Sequence, residues 1–592
     1  MLMSKEKALF TLTISPVKTF VGNGRKMKDL YAGSAILSQL TKVAMDYIEE
    51  ESDLKLITPV NEDKLSSFPN CLVARTEDFH KIEHLKMATS LSERIKDKFY
   101  TICDESLDLI EDKKARSWAK KQLESFLEIY WVFEPYVDST EKRKSYATIR
   151  QNLFNNLEAV KRIRPFNQTD ELWGRKCILH PEYNALFYRK EAGDIPANLN
   201  TAYALDLIPD PDDPVPAFEY LIKENEALSA IAFVKRFYVG PEPSIVSMRD
   251  MVFRKRLELT PGKDNWYQEN VESLREERDS HQSGFISCVI NAIYDKYPKQ
   301  VPSPQEKNET AIKAAIKIVD KMNEEIPELD LKSYYALLKF DGDSMGDRYK
   351  ELSNPEEHLR LSEKICQFAR EARKMIEKVG GVCIFAGGED VLAALPLEEI
   401  WSMLKKLHEK FGEIVDLENQ PIFTFSAGVV IPHLMEPLKN VMNQIDEAET
   451  YAKDYKKGIP DEEKNAFSVM LMKRGGEHRQ IRYSFQKDDQ SYQSLEIFKQ
   501  LIIECESQEH SKSFFSNSIQ LLEKLPQNVE YEMIESLIKS VMKNQRLGDP
   551  EKLLCYIKQL YDKSEDVINF INTLDIVRFL TSPAIIHNGG DV

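Results

Sequence analysis

Cysteine is scarce. Eight occur in 592 residues, at 71, 103, 177, 288, 366, 383, 505 and 555, and no two form a Cys-x-x-Cys pair. That scarcity excludes a disulfide frame and a self-sufficient zinc site, and it fits a reduced, cytoplasmic setting. Surplus positive charge is missing too. Lys and Arg number 80 against 97 Asp and Glu, −17 net, which excludes a polycation that coats nucleic acid indiscriminately. No uninterrupted apolar run reaches membrane-spanning length, and Met1 to Lys7 leads into a strand-like run rather than a leader. Low-complexity tracts are absent. These absences leave a multidomain protein with ample core and no membrane partner. Any contact with RNA is expected to be local or borne by partners. Basic clusters at Lys142-Arg143-Lys144, Lys161-Arg162-Ile163-Arg164, Lys235-Arg236 and Arg254-Lys255-Arg256 are solvated faces, with one or two expected to touch phosphate.

What is present centres on Val382 to Pro396, VCIFAGGEDVLAALP. Strand character over 382–386 runs into Gly387-Gly388-Glu389-Asp390, and a second apolar run, 391–395, follows. The pattern predicts a β-hairpin whose tight turn presents two adjacent carboxylates. Acids at a turn between buried strands call for a positive partner, and a divalent metal is the usual one. Gly-Gly-acid-acid is also ordinary solvated turn chemistry. Upstream, Tyr334 to Phe340 is a buried-strand run ending in Asp341-Gly342-Asp343. Between the two acidic sites the punctuation predicts a helix, with Asn354 as cap, Pro355 in the first turn and Gly380-Gly381 as stop. Its apolar face is Ile365, Phe368, Ala369, Ala372, Ile376 and Val379. A helix over 397–411, a strand over 422–431, a helix over 437–457 and a strand over 465–472 follow. Lys453 lies in the last turns of its helix, where it complements either phosphate or the helix C-terminus.

This order, with acids at the first strand end and in the strand two–three turn, resembles the GGDEF-type cyclase palm. More closely, YYALLKFDGDSMG, FAGGEDVLAALP, TFSAGVVIP and AETYAKDY resemble the second palm of the large subunit of type III-B (Cmr-type) CRISPR effector complexes. The resemblance implies an α+β chain. Two ferredoxin-like palms are expected at 1–140 and 331–482, a helical interpalm domain at 141–330 and a C-terminal helical domain at 483–592. It implies metal ligation by Asp341, Glu389 and Asp390, with Gly342, Asp343, Gly387, Gly388 and Lys453 lining the nucleotide site. Glu389 departs from the family's aspartate by one methylene. The run ISPVKTFVGNGRKMKDLYAGSAILSQL resembles the family's first palm, which makes Gly33 and Ser34 candidate ATP contacts; close helix packing is the other reading of those small residues. Gly174 to His180 stands where relatives carry a zinc knuckle, and Cys177 and His180 are too few for a site.

The activity implied is target-RNA-activated nucleotidyl transfer with Mg²⁺ or Mn²⁺, converting ATP into cyclic oligoadenylate. Transfer of AMP to S-adenosylmethionine is the alternative product, and a silent scaffold the non-enzymatic alternative. The partners implied are other Cmr-type subunits, guide RNA and target RNA. Many relatives also carry an N-terminal His-Asp nuclease domain. No His-Asp dipeptide occurs in this sequence, so a DNase role is not expected.

Overall fold

The computed structural model describes residues 6–581 apart from 63–66, 111–112, 137–144, 164–173, 189–202, 205–221, 223–225, 241–246, 273–289, 291–308, 328, 330–332, 417–422, 460–462, 488–489, 507–510, 527–528 and 544–549. The basic cluster 142–144 and Arg164 therefore lie outside the described residues.

The first strand, β1 (Lys7–Ser15), is buried along nearly its whole length. Its two faces serve different cores. Phe10, Leu12 and Ile14 join a cluster with α2 (Met27–Glu51) and α3 (Lys81–Leu107). Leu9 points the other way, into a cluster shared with the second half of the chain. A short helix, α1 (Lys18–Gly22), connects β1 to α2. β2 (Lys55–Thr58), β3 (Cys71–Thr76), α4 (Lys113–Glu124) and β4 (Glu128–Tyr136) complete this unit. The sheet order is β2-β3-β1-β4 and every pairing is antiparallel. That is the ferredoxin-like arrangement of a palm. The helix α5 (Tyr146–Arg162) lies against β4 and β1.

The connecting region is stitched to this palm. Two-residue strands β5 (Phe187–Tyr188), β6 (Tyr203–Ala204) and β7 (Ala227–Leu228) form a small sheet, followed by α6 (Ala230–Phe237), α7 (Met248–Glu258) and α8 (Glu309–Glu325). Gln122 on α4 accepts from the Ala230 amide at 2.9 Å and donates to the Asn184 carbonyl at 2.9 Å. Cys177 and His180 are buried here, with the His180 ring edge-on to Phe126. The Lys235-Arg236 pair is not a phosphate-binding face, because both side chains are buried. Lys235 donates to the Phe20 and Asn23 carbonyls at the end of α1. Arg236 grips two acids at once. It meets Asp29 at 2.6 and 2.8 Å and Glu226 at 3.0 and 2.8 Å. Asp29 also accepts from the Arg25 and Lys26 amides at the start of α2. The 254–256 cluster is likewise engaged, with Arg254 on Asp250, Lys255 on Glu258 and Glu399, and Arg256 on Glu398.

The second palm repeats the plan. Its elements are β8 (Ala336–Gly342), α9 (Met345–Glu351), α10 (Pro355–Lys378), β9 (Val382–Gly387), β10 (Asp390–Leu395), α11 (Ile400–Ile414), β11 (Phe425–Pro432), α12 (Leu438–Lys453), β12 (Ala466–Met472) and β13 (His478–Ser484). Sheet order is β13-β12-β11-β8-β10-β9, in which β9-β10-β8-β11 reproduce the first palm's order β2-β3-β1-β4. Asn354 caps α10 by accepting from the Glu357 amide at 2.9 Å, with Pro355 beside it. The predicted strand and helix positions stand, with shifts. β8 runs through Asp341 instead of stopping before it, and β11 starts at 425, three residues late. The small β5–β6–β7 sheet in the region expected to be helical was not anticipated, and neither were two strands of the palms. β2 is only four residues long, and β13 is a polar edge strand, HRQIRYS, with little apolar alternation to announce it. Beyond it a two-residue antiparallel pair, Gln486–Lys487 with Gln490–Ser491, precedes five helices: α13 (Gln493–Glu506), α14 (Ser511–Leu522), α15 (Tyr531–Lys543), α16 (Pro550–Lys563) and α17 (Val567–Leu580). Among the described residues no helix is long and apolar enough to cross a membrane.

The palms dock reciprocally. α2 of the first lies on β9 of the second, and α10 of the second lies on β2 of the first. At this seam Ser362 donates to Thr58 at 3.0 Å, Arg373 to Ser67 at 2.9 Å, and Tyr146 meets His358 at 2.8 Å. Arg75 pairs with Glu356 at 2.8 Å, and Arg370 pairs with Glu62.

Arg236→Leu would strand Asp29 and Glu226 in the interior. The expected loss is about 3–5 kcal/mol in denaturant unfolding of the full chain, and a loss under about 1 kcal/mol would show that the triad is dispensable. Burial alone would raise the Asp29 carboxyl, but the charge and hydrogen bonds of Arg236, helped by Lys235 and the Arg25 amide, bring it to about 2. Its stabilising contribution is therefore complete above the unfolded value, about 4, and drains away as pH falls from there towards 2.

Candidate active site

Antiparallel pairing sets the site. Val391 of β10 lies opposite Phe340 of β8, and Asp341 of β8 lies opposite Ser426 of β11. One step beyond Val391, Asp390 comes level with Asp341, and the two carboxyls hydrogen-bond. The hairpin connecting β9 and β10 is a two-residue loop, since Gly387 pairs directly with Asp390. Gly388 enters it at φ +73°, a conformation that side-chain-bearing residues resist. Gly387 leaves room for the Phe385 ring, whose edge would stand 2.7 Å from a Cβ there, and the Phe68 carbonyl carbon of the first palm lies 3.3 Å from the same point. Gly342 is equally crowded, with Met345 and the Glu389 Cβ at 2.7 and 3.1 Å from its Cβ position.

Opposing charge comes from α12. Lys453 pairs with Asp341 and, at 2.8 Å, with Glu449 one turn earlier. Lys339, two residues before Asp341 and on the same face of β8, pairs with Glu449 at 2.8 Å and Asp446 at 2.7 Å. Lys18 of the first palm reaches Asp446 at 2.7 Å. Burial pushes the Asp341 carboxyl up, but the hydrogen bonds from Asp390 and Lys453 and the charges of Lys453 and Lys339 outweigh it and hold Asp341 below its usual range. Asp390 goes the opposite way. Enclosure by the protein, the hydrogen bond to Asp341 and the charges of Asp341, Glu389 and Glu449 hold it well above the carboxylate range, although solvent reaches one side of it. Two carboxyls can hydrogen-bond only through a shared proton, and the opposed shifts favour its residence on Asp390. Glu389 is raised by burial and by Asp341, against the opposing pull of Lys453 and of Arg150 from α5. That arginine is stacked on Tyr349 and Phe154, with ring centroids at 4.5 and 4.7 Å.

Of the residues expected at the site, Asp341, Gly342, Gly387, Gly388, Glu389, Asp390 and Lys453 come together. Asp343 faces away. It accepts from Ser426 at 2.7 Å, Thr424 at 2.8 Å and the Asn465 amide at 3.0 Å, tying together the ends of β8, β11 and β12. Gly33 and Ser34 are buried in α2. A Cβ at Gly33 would stand 2.9 Å from the Phe20 carbonyl oxygen, so close packing accounts for that glycine. Lys339 and Glu449 were missed. Their signals were legible in retrospect, an i, i+2 relation to Asp341 on a strand and an i, i+4 relation to Lys453 on a helix.

Among the described residues no three His, Cys, Asp or Glu side chains are drawn together as a metal cage. The donor chemistry nonetheless fits a hard divalent cation. Two carboxyls forced to share a proton and balanced by an ammonium offer oxygen ligands whose repulsion a cation would relieve.

Two family models match the chain: the Cas10/Cmr2 second palm domain over residues 334–466, and the N-terminal part of the CRISPR-associated protein Cmr2 over 9–104. The chain is Cmr2-like. Its curated relative, the CRISPR system Cmr subunit Cmr2 of Pyrococcus furiosus, is 23% identical over 586 residues, covering 80% of this chain. The Cmr2-like chain spans 62% of that relative's length. Among solved structures it shares its fold with a type III-B Cmr-beta chain in the apo state (TM-score 0.62, 13% identity, 98% of this chain and 82% of the other). It also shares it with one from Cmr-beta bound to cognate target RNA (TM-score 0.63, 15% identity, 98% and 83%).

A divalent cation arriving at Asp341 and Asp390 should expel the shared proton. Titration of the full chain with Mn²⁺ at neutral pH is expected to release close to one proton, about 1 per site, read as a dependence of the binding heat on buffer ionisation enthalpy. Heats that ignore the buffer would mean that Asp390 is already ionised.

Proposed function

We propose that this Cmr2-like chain is the palm-bearing subunit of an RNA-guided type III-B effector, in which capture of target RNA switches on metal-dependent conversion of ATP into an adenylate messenger, cyclic oligoadenylate. The observation that carries the reading is the Asp341–Asp390 pair at adjoining strand ends with Lys453 against it. A structural subunit has no use for carboxyls held so close that one must keep a proton. Bound Mg²⁺ or Mn²⁺ would supply charge neutralisation at the α-phosphate and the attacking hydroxyl. Asp341 and Asp390 would hold the cation, with Glu389 as the neighbouring acid. Lys453 is placed to neutralise the triphosphate as pyrophosphate departs. The Gly387–Gly388 turn leaves backbone, not side chains, beside the substrate. The first palm supports the hairpin through Phe68 and forms the wall across the seam, where the second nucleotide is expected. Similarity to Cmr-beta chains over nearly the full length supports association with other Cmr-type subunits, guide RNA and target RNA.

The test uses the assembled complex with guide RNA, labelled ATP and Mg²⁺ or Mn²⁺, with and without matched target RNA and S-adenosylmethionine, and resolves products by mass spectrometry. Target-dependent cyclic adenylates are expected from ATP alone. Asp390→Asn, near-isosteric, is expected to lower the rate by at least about 10³-fold while leaving guide and target binding intact. A product that needs the sulfonium compound would keep the site and change the acceptor. Unaltered turnover in Asp390→Asn, or no target-dependent product under any condition, would refute the reading in favour of a scaffold.

A further inference from the structure

The helix α12 does not merely cover the sheet; it touches it. Gly428 of β11 lies directly opposite Lys339 of β8. A Cβ at Gly428 would stand 2.4 Å from the Glu449 amide nitrogen, 2.8 Å from the Ala448 carbonyl carbon and 2.9 Å from the Glu449 Cα. No side chain fits there, so the glycine lets the helix backbone rest on the strand at the turn that carries Glu449. The contact buries Glu449, leaving its side chain 10% exposed between two ammonium groups, Lys339 and Lys453, each at 2.8 Å. One helical turn further on, Lys453 spans Glu449 and Asp341.

Lys453 therefore has two acidic partners, and only Asp341 is wanted by a cation. If the lysine stayed on Asp341 it would compete with the metal; if it left without an anchor it would be lost to solvent. Glu449 resolves this. It is fixed by the Gly428 contact and by its ion pair with Lys339, so it retains one side of the ammonium whichever way the other side turns.

We propose that Glu449 is a positioning residue that holds Lys453 at the site and lets its ammonium pass from Asp341 to the phosphates of an incoming nucleoside triphosphate. This rests on the nucleotide-binding reading above and assigns the residue that orients its phosphate contact. Lys339 and Gly428 act behind it, one through charge and one through close approach.

The experiment measures affinity of the full chain for a non-hydrolysable ATP analogue with Mn²⁺, by calorimetry, for wild type, Glu449→Gln, Glu449→Asp, Lys453→Met and the two double variants. Simple electrostatics says that removing a negative charge near a triphosphate tightens binding, and that aspartate behaves as wild type. Positioning predicts that both Glu449→Gln and Glu449→Asp weaken binding about tenfold, the equivalent of one charge-assisted contact. It also predicts that neither adds to the loss in Lys453→Met, because Glu449 acts only through that lysine. Tighter or unchanged binding in Glu449→Gln, wild-type binding in Glu449→Asp, or equal losses with and without Lys453 would overturn the proposal. The readout is separate from turnover. A wild-type complex that binds the analogue but makes no adenylate product would refute the messenger reading and leave this comparison standing.

Discussion

Negative charge concentrated at two adjacent strand ends is the constraint on which the second palm depends. Register places Asp390 beside Asp341, and neither strand can shift without moving its apolar residues to the wrong face. The repulsion is therefore fixed by the core and has to be answered locally. It is answered by one shared proton and one ammonium, the latter delivered by α12. The network continues from Asp341 through Lys453, Glu449, Lys339 and Asp446 to Lys18, so the charge balance of the site extends into the first palm.

A different electrostatic problem is solved beneath the first palm. Arg236 is enclosed with Asp29 and Glu226, and Lys235 holds the end of α1. These residues read as a basic cluster in the sequence and are in fact the clamp that seats the connecting region on α2. Composition could not reveal this, because charge pairing across some two hundred residues has no local signature. The acidic partner Asp29 sits in a segment whose small residues drew attention instead.

Much of the palm was legible. The β9–β10 hairpin announced itself by two apolar runs around Gly-Gly, and α10 by its Asn-Pro start, its stripe and its Gly-Gly stop. Both signals are local and strong. What escaped was set by tertiary contact. β13 is polar on its open side and owes its existence to pairing with β12 and packing under α17. Asp343 was expected to line the nucleotide site, and the structure adds what its position in the chain did not announce, that Ser426, Thr424 and Asn465 bond both its oxygens. Glu449 looked like one more helical surface acid until Gly428 brought its turn onto the strand.

The reciprocal docking of the palms has a consequence for how the protein can change. Helix one of each unit lies on strand two of the other, which is the geometry of an isologous dimer, here enclosed within a single polypeptide. In a true homodimer every substitution appears on both sides of the axis, so neither copy can give up its acids without the other doing so. Covalent linkage removes that restriction. The first half has no Gly-Gly-acid-acid run between β2 and β3, and its buried carboxylate, Asp29, is held in the Arg236 clamp. The second half holds the Asp341–Asp390 pair. A single chain can thus join a half that bears the acidic pair to one that does not in fixed stoichiometry, which two copies of one sequence could never do.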